Sequence, residues 1–233
     1  MLEDSKLEGS LTKASEKYIE WSNIRAAVQL IPGVGGAIDT WFGGRGSKLQ
    51  NERTVAGINE LSRQLSIVEN RIKTDLVETE EFFDLFMTTF DGIIRSRSED
   101  KRARFCSIIT NKITSDKPWD EAELAIRILT SLDDNHVKII NLCYGYDLFE
   151  TKAGGIRYRS TDFSKLPIDD NYKNDVIDYK DQVGNNIALL LTELVSRGLL
   201  EDTGYRGELL AFVQEYKASN TAQWFLDWIK SPE

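Results

Sequence analysis

Ile58-Asn-Glu-Leu-Ser-Arg-Gln-Leu-Ser-Ile-Val-Glu-Asn-Arg-Ile72 carries apolar residues at 58, 61, 65, 68 and 72, steps of three, four, three and four. That rhythm returns one face of a helix to the same side on every turn. It predicts a long helix from about Ser47 to Val77 with a single apolar seam. Such a seam serves equally to close an intramolecular bundle or to join two copies of the chain.

The same periodicity extends outward from this stretch. Downstream, Thr79 stands as a cap before Glu80, and Phe82, Phe83, Phe86, Phe90 and Ile94 point a helix ending near Arg95 at a core. Ser98-Glu-Asp-Lys101 restarts the chain, and Phe105, Ile109 and Ile113 form the next stripe. Ser115-Asp-Lys-Pro118 reads as a loop, followed by helices over 119–132 and 134–148 with a turn at Asp133-Asp134. Upstream, residues 6–29 read as helix. Residues 31–46 then form a Gly-rich apolar segment, broken by Pro32, glycines and Asp39, which is too interrupted for a simple membrane-spanning helix.

The character changes after Glu150. Residues 151–170 read as a loop with a short strand at Ile156-Arg-Tyr158, and a short helix is expected over 171–180. A helix over 185–197 ends at Gly198, the residue that best accepts the left-handed stop conformation. A hairpin near 199–216, turning at Thr203-Gly-Tyr-Arg-Gly207, is followed by a last helix opened by Ser219. Together these predict a mostly α chain. Residues 1–133 form an N-terminal helical bundle that includes the Gly-rich segment, and residues 134–233 form a small winged-helix-like α+β domain.

Composition bounds the chemistry. The 233 residues include 29 Lys+Arg against 38 Asp+Glu, a net charge of −9, and a single His. The charge is spread over both halves: 18 basic against 22 acidic residues up to 133, and 11 against 16 beyond it. That distribution favours solubility and disfavours a broad nucleic-acid surface in either half. A 41% apolar content excludes wholesale disorder. Cys106 and Cys143 have no C-x-x-C context, and Met1 to Glu20 is charged and amphipathic rather than a secretory leader, so a cytoplasmic protein is expected.

Motifs for nucleotide binding fail on spacing. Gly43-Gly-Arg-Gly-Ser-Lys48 runs on into Leu49 where a phosphate loop needs Ser or Thr, and Gly33-x-Gly35 has Ile38 at the place of the third glycine. No cofactor and no metal are expected. His136, near a helix start, reads as a capping or surface residue. The pairs Asp133-Asp134 and Asp169-Asp170 read as turn residues, so no catalytic residue is assigned.

Two groups remain as contact candidates. Ile31, Val34, Ile38, Trp41 and Phe42 form an apolar set suited to a partner helix or a membrane, with residues 24–44 as the membrane-seeking unit. The negative net charge argues against an anionic bilayer. Arg95, Arg97, Lys101, Arg102 and Arg104 form the densest basic island, a candidate for an acidic partner or nucleic acid. Glu99 and Asp100 interrupt it, and local ion pairing at a helix junction is the simpler expectation. On the helix before Gly198 the outward positions read as Asn186, Leu189, Thr192, Glu193, Ser196 and Arg197, a poor phosphate-contacting surface even with Arg157, Arg159 and Arg206 near the hairpin. The fold is therefore read as serving protein contact, with DNA binding as the alternative.

The order of parts resembles the bacterial abortive-infection alpha family. The resemblance rests on Ile31-Pro-Gly-Val-Gly-Gly-Ala-Ile-Asp39 before the long helix, Glu81-Phe-Phe-Asp-Leu-Phe86, and Asp100-Lys-Arg-Ala-Arg-Phe-Cys-Ser-Ile-Ile-Thr-Asn111. It continues through Leu194-Val-Ser-Arg-Gly-Leu-Leu-Glu201 and Thr221-Ala-Gln-Trp-Phe-Leu-Asp-Trp228. Ser219-Asn-Thr-Ala departs from the Thr-Pro-x-Gly-like start of the last helix in that family. The resemblance implies a role in bacterial defence against phage and carries over no catalytic residues; from the residues themselves the chain is read as a non-enzymatic component that acts through a protein partner or a second copy.

Overall fold

Helix α1, Lys48–Val68, begins the described part of the chain in this computed structural model, which covers residues 48–150, 156–160, 187–208 and 211–232. A 3₁₀ turn, Glu69–Arg71, leads into the single turn of α2, Thr74–Val77. Then come α3, Glu80–Arg95, α4, Glu99–Ile113, and α5, Trp119–Ser131. Next follow α6, Asp134–Gly145, β1, Tyr146–Glu150, β2, Ile156–Ser160, α7, Ile187–Ser196, β3, Leu200–Glu208, β4, Ala211–Ala218, and α8, Asn220–Ile229. The described residues are thus mostly helical with a small antiparallel sheet. The expected helix over 171–180 and the segment 31–46 lie outside them.

The described chain divides into two units. One comprises the residues up to Thr130 with those from Ile229 onward, and the other runs from Ser131 to Trp228.

In the first unit α1 packs against α3 and α4, which also pack against each other. The seam of α1 is buried at Ile58, Leu61, Leu65 and Val68. It stops there. Ile72 takes extended dihedrals, and the Lys73 amide donates to the Ile113 carbonyl at 2.9 Å, so a tertiary hydrogen bond replaces the helical one that an unbroken helix to Val77 would need. On α3, Phe82, Phe86 and Phe90 form a buried column with successive centroids 6.0 and 5.3 Å apart. Phe83, expected in the core, is 41% exposed because one residue's rotation carries it off that face.

The caps hold where side-chain chemistry supplies them. Thr79 accepts from the Phe82 amide at 3.2 Å and Ser98 from the Lys101 amide at 3.1 Å. Two glycines set the helix spacing. A Cβ on Gly57 of α1 would lie 2.4 Å from Ile93 Cγ2, and one on Gly92 of α3 would lie 2.7 Å from the Phe105 ring of α4. The backbones therefore approach more closely than any larger residue permits.

One polar group is drawn into this core. Gln64 is fully buried and donates to Glu60 at 2.8 Å and to the Ala103 carbonyl at 3.1 Å. Arg63 clasps the same Glu60 with two hydrogen bonds of 2.7 and 2.8 Å. These bonds, Arg63 first, hold the Glu60 carboxyl below the ordinary glutamate value of 4.5 despite its partial burial. At the other end of α4, Lys112 lays its ammonium 4.0 Å from the Trp119 ring centroid, and Lys73 pairs with Asp116.

In the second unit the sheet order is β2-β1-β4-β3, with every neighbouring pair antiparallel. Helix α6 packs on β1 and β4, and α7 on β3 and α6. Helix α7 ends in a Schellman motif: Gly198 has φ +69°, its amide donates to Val195, and the Leu199 amide donates to Leu194, each at 2.9 Å. Two expectations are corrected. Residues 146–148 belong to a strand rather than to the end of α6, because β2 and β4 offer ladder partners from elsewhere in the chain. Thr203-Gly-Tyr-Arg-Gly207 is not the hairpin turn, since β3 runs through it to Glu208 and absorbs Thr203 as a register shift between Asp202 and Gly204.

Two outcomes follow from the first unit. Gly57→Ala lowers unfolding free energy by ~1–3 kcal/mol in urea titration, helix propensity notwithstanding, and Ile93→Ala added to it costs less than the sum of the two single changes. Because the Glu60 carboxyl is depressed in the folded state, its stabilisation is complete above the ordinary glutamate range and is lost as pH falls through the folded value. Glu60→Gln therefore costs ~0.5–1 kcal/mol at neutral pH, and the cost shrinks as pH falls below the ordinary glutamate range, read from paired denaturation curves.

Candidate functional site

The only imidazole of the chain is the centre of a polar arrangement among the described residues of the second unit. Asp133 precedes α6, and its Oδ1 accepts from the amides of Asn135 at 2.9 Å and His136 at 3.0 Å, the bonds of a helix N-cap. This places His136 on the first turn, where its ring folds back. Nδ1 lies 2.9 Å from Asp133 Oδ1 and 3.2 Å from the Asp133 amide nitrogen. The pattern resembles a capping box in which imidazole takes the usual place of Glu or Gln. The other ring nitrogen, Nε2, lies 2.9 Å from Oε2 of Glu193 on α7, 57 residues away. His136 is 4% exposed, so it is a buried link rather than a surface residue.

The link decides which residues of α7 face outward. Ile187, Leu190, Leu191 and Leu194 are buried. Ala188, Leu189, Thr192 and Ser196 are exposed, Leu189 at 56%. Glu193, read from the sequence as an outward residue, keeps its side chain 41% exposed while its Oε2 bonds to His136. Arg197 donates to Ser131 Oγ at 2.7 Å. The exposed face therefore carries a large apolar side chain among small uncharged ones. Asn186 lies outside the described residues. Arg157 and Arg159 stand on β2 opposite Phe149 and Asp147, and Arg206 on β3 opposite Val213.

The basic island of the first unit is dispersed. Arg95 is exposed and pairs with Asp91 at 2.8 Å, and Arg97 is exposed. Lys101 donates to the Thr130 carbonyl at 3.0 Å, and Arg104 sits 3.8 Å from Asp100. Arg102 is buried, with Nη1 donating to the Ser96 and Arg97 carbonyls at 3.1 Å each, so it satisfies the connection between α3 and α4 rather than presenting charge. Sequence spacing gave no sign of this inward turn.

Ile31, Val34, Ile38, Trp41 and Phe42 lie outside the described residues. Among the described residues no helix is long and apolar enough to cross a membrane, and no group of three or more His, Cys, Asp or Glu side chains is placed to hold a metal ion. Burial pushes the Cys106 thiol well above the ordinary cysteine range, and its Sγ faces the Gly57 carbonyl at 3.5 Å, the setting of an unreactive core thiol. No family model, no curated protein and no solved structure matches the chain.

The His136–Glu193 contact is expected to be a stability determinant of the second unit. His136→Ala costs ~2–3 kcal/mol. Glu193→Ala costs ~1 kcal/mol, since its side chain is 41% exposed. In a double-mutant cycle the pair couples by at least ~0.5 kcal/mol. Strict additivity would place the contact outside the folding energetics.

Proposed function

We propose that the chain is a non-enzymatic, cytoplasmic protein-interaction component, of the kind that serves bacterial phage defence, and that α7 supplies its contact surface. In this reading the residues from Ser131 to Trp228 form a winged-helix-like domain in which α7 takes the position a recognition helix would have. The observation that carries the reading is the outward face of α7. Leu189 stands exposed among Ala188, Thr192 and Ser196, while Glu193 and Arg197 are engaged within the unit. An exposed apolar anchor among small residues suits a protein surface. A DNA-reading helix needs cations for phosphates and amide or guanidinium groups for base edges. The buried thiols of Cys106 and Cys143 accord with a reducing compartment.

The helix α7 followed by the β3–β4 hairpin and a closing helix also favours the second reading, a winged-helix regulator that binds DNA. A membrane-perturbing role would rest on residues 24–44, outside the described part. An electrophoretic shift assay at low salt separates the first two: no salt-steep DNA binding is expected, and sequence-selective binding that collapses with added salt overturns the proposal. Expressed in a phage-challenged bacterium, the chain lowers plating, and Leu189→Asp raises it by about tenfold or more without a change in helical content or melting. Protection untouched by Leu189→Asp would remove α7 from the contact surface.

A further inference from the structure

We propose that His136 is a proton-dependent latch between α6 and α7, which tightens the hold on α7 when its ring carries two protons and loosens it when one is lost. Both ring nitrogens lie 2.9 Å from carboxylate oxygens, Asp133 Oδ1 at Nδ1 and Glu193 Oε2 at Nε2. A carboxylate oxygen only accepts, so both contacts are hydrogen bonds only when both ring nitrogens bear hydrogen, which is the imidazolium form. That form makes charge-assisted bonds to both elements at once.

The geometry also provides for the neutral ring. When the Nδ1 proton passes to solvent, the lone pair left there finds the Asp133 amide nitrogen already 3.2 Å away and accepts from it. Asp133 Oδ1 keeps the Asn135 and His136 amides in either state, so the start of α6 stays capped. What weakens is the bond to Glu193, which becomes one between a neutral N–H and a carboxylate. Glu193 is the only carboxylate on α7, so the effect of the proton falls on that helix.

Asp133 and Glu193 are the groups bonded to the ring. Asp134 and Lys138 stand on α6 itself, Arg197 follows α7, and β4, which packs on α6, carries Glu215, Tyr216 and Lys217. β1 adds Asp147 and Glu150.

The latch stands on geometry alone. Its regulatory consequence, that α7 is presented firmly in acid and loosely in base, rests on the reading of α7 as a contact helix. Because the chain has one histidine, imidazole ¹⁵N spectra of the full chain report this ring without ambiguity. Between about pH 5.5 and 8.5 the spectra are expected to pass from two protonated nitrogens to the form protonated at Nε2 alone. Over the same range, amide protection across 187–196, corrected for intrinsic exchange, falls about tenfold relative to that of α3.

Glu193→Gln, which keeps a hydrogen-bonding side chain, is expected to remove the pH dependence of α7 protection. His136→Gln serves as a second variant and gives the same flat profile. A ring that keeps one protonation state throughout overturns the latch, as does α7 protection that is indifferent to the ring's change of state. These readouts do not involve phage plating, so a failed contact reading leaves them unaffected and is recognised separately.

Discussion

Helix α7 is held from one side by apolar packing and from the other by a single buried imidazole, and the second constraint determines what the helix can present. Apolar burial of Ile187, Leu190, Leu191 and Leu194 fixes which stripe faces inward but tolerates rotation by part of a turn. The 2.9 Å hydrogen bond that Glu193 accepts from His136 does not. His136 is in turn oriented by Asp133, whose backbone and side chain both engage it while capping α6. The chain of constraint runs from a helix cap, through a ring, to the outward position of Leu189. Glycine plays the comparable part in the first unit, where Gly57 lets α1 approach Ile93 of α3 and Gly92 lets α3 approach Phe105 of α4.

Much of this architecture can be read from local patterns. The seam from Ile58 to Val68 follows from spacing, the starts of α3 and α4 from Thr79 and Ser98, and the end of α7 from Gly198. Each depends on groups within a few residues of one another. Features that rest on distant partners were not legible. The exit from helix after Val68 depends on the Ile113 carbonyl, and β1 depends on ladder partners near residues 158 and 216. Thr203-Gly-Tyr-Arg-Gly207 has turn composition, yet β4 offers it a strand to pair with, and one extra residue is absorbed as a bulge.

The site divides in the same way. Leu189, Thr192 and Ser196 are outward by helical phase alone, and the sequence places them correctly. Glu193 shares that phase but is captured by a histidine 57 residues earlier, a pairing no spacing rule contains. Arg102 belongs to a basic run by composition, and the Ser96 and Arg97 carbonyls of the connection between α3 and α4 draw it inward. In both cases a charged group follows an unmet hydrogen-bonding demand rather than the amphipathic pattern of its own helix.

The proposal that α7 meets protein rather than nucleic acid rests on acidity spread over the whole chain, a helix without cations of its own and an exposed leucine on its first turn. The most direct measurement is photocrosslinking in a bacterial host from a photoreactive residue at position 189, with the same residue at position 138 as control. The account predicts adducts from position 189 that resist nuclease, are destroyed by protease, and are absent from the control. Nuclease-sensitive adducts at 189, or equal yields from both positions, would contradict it.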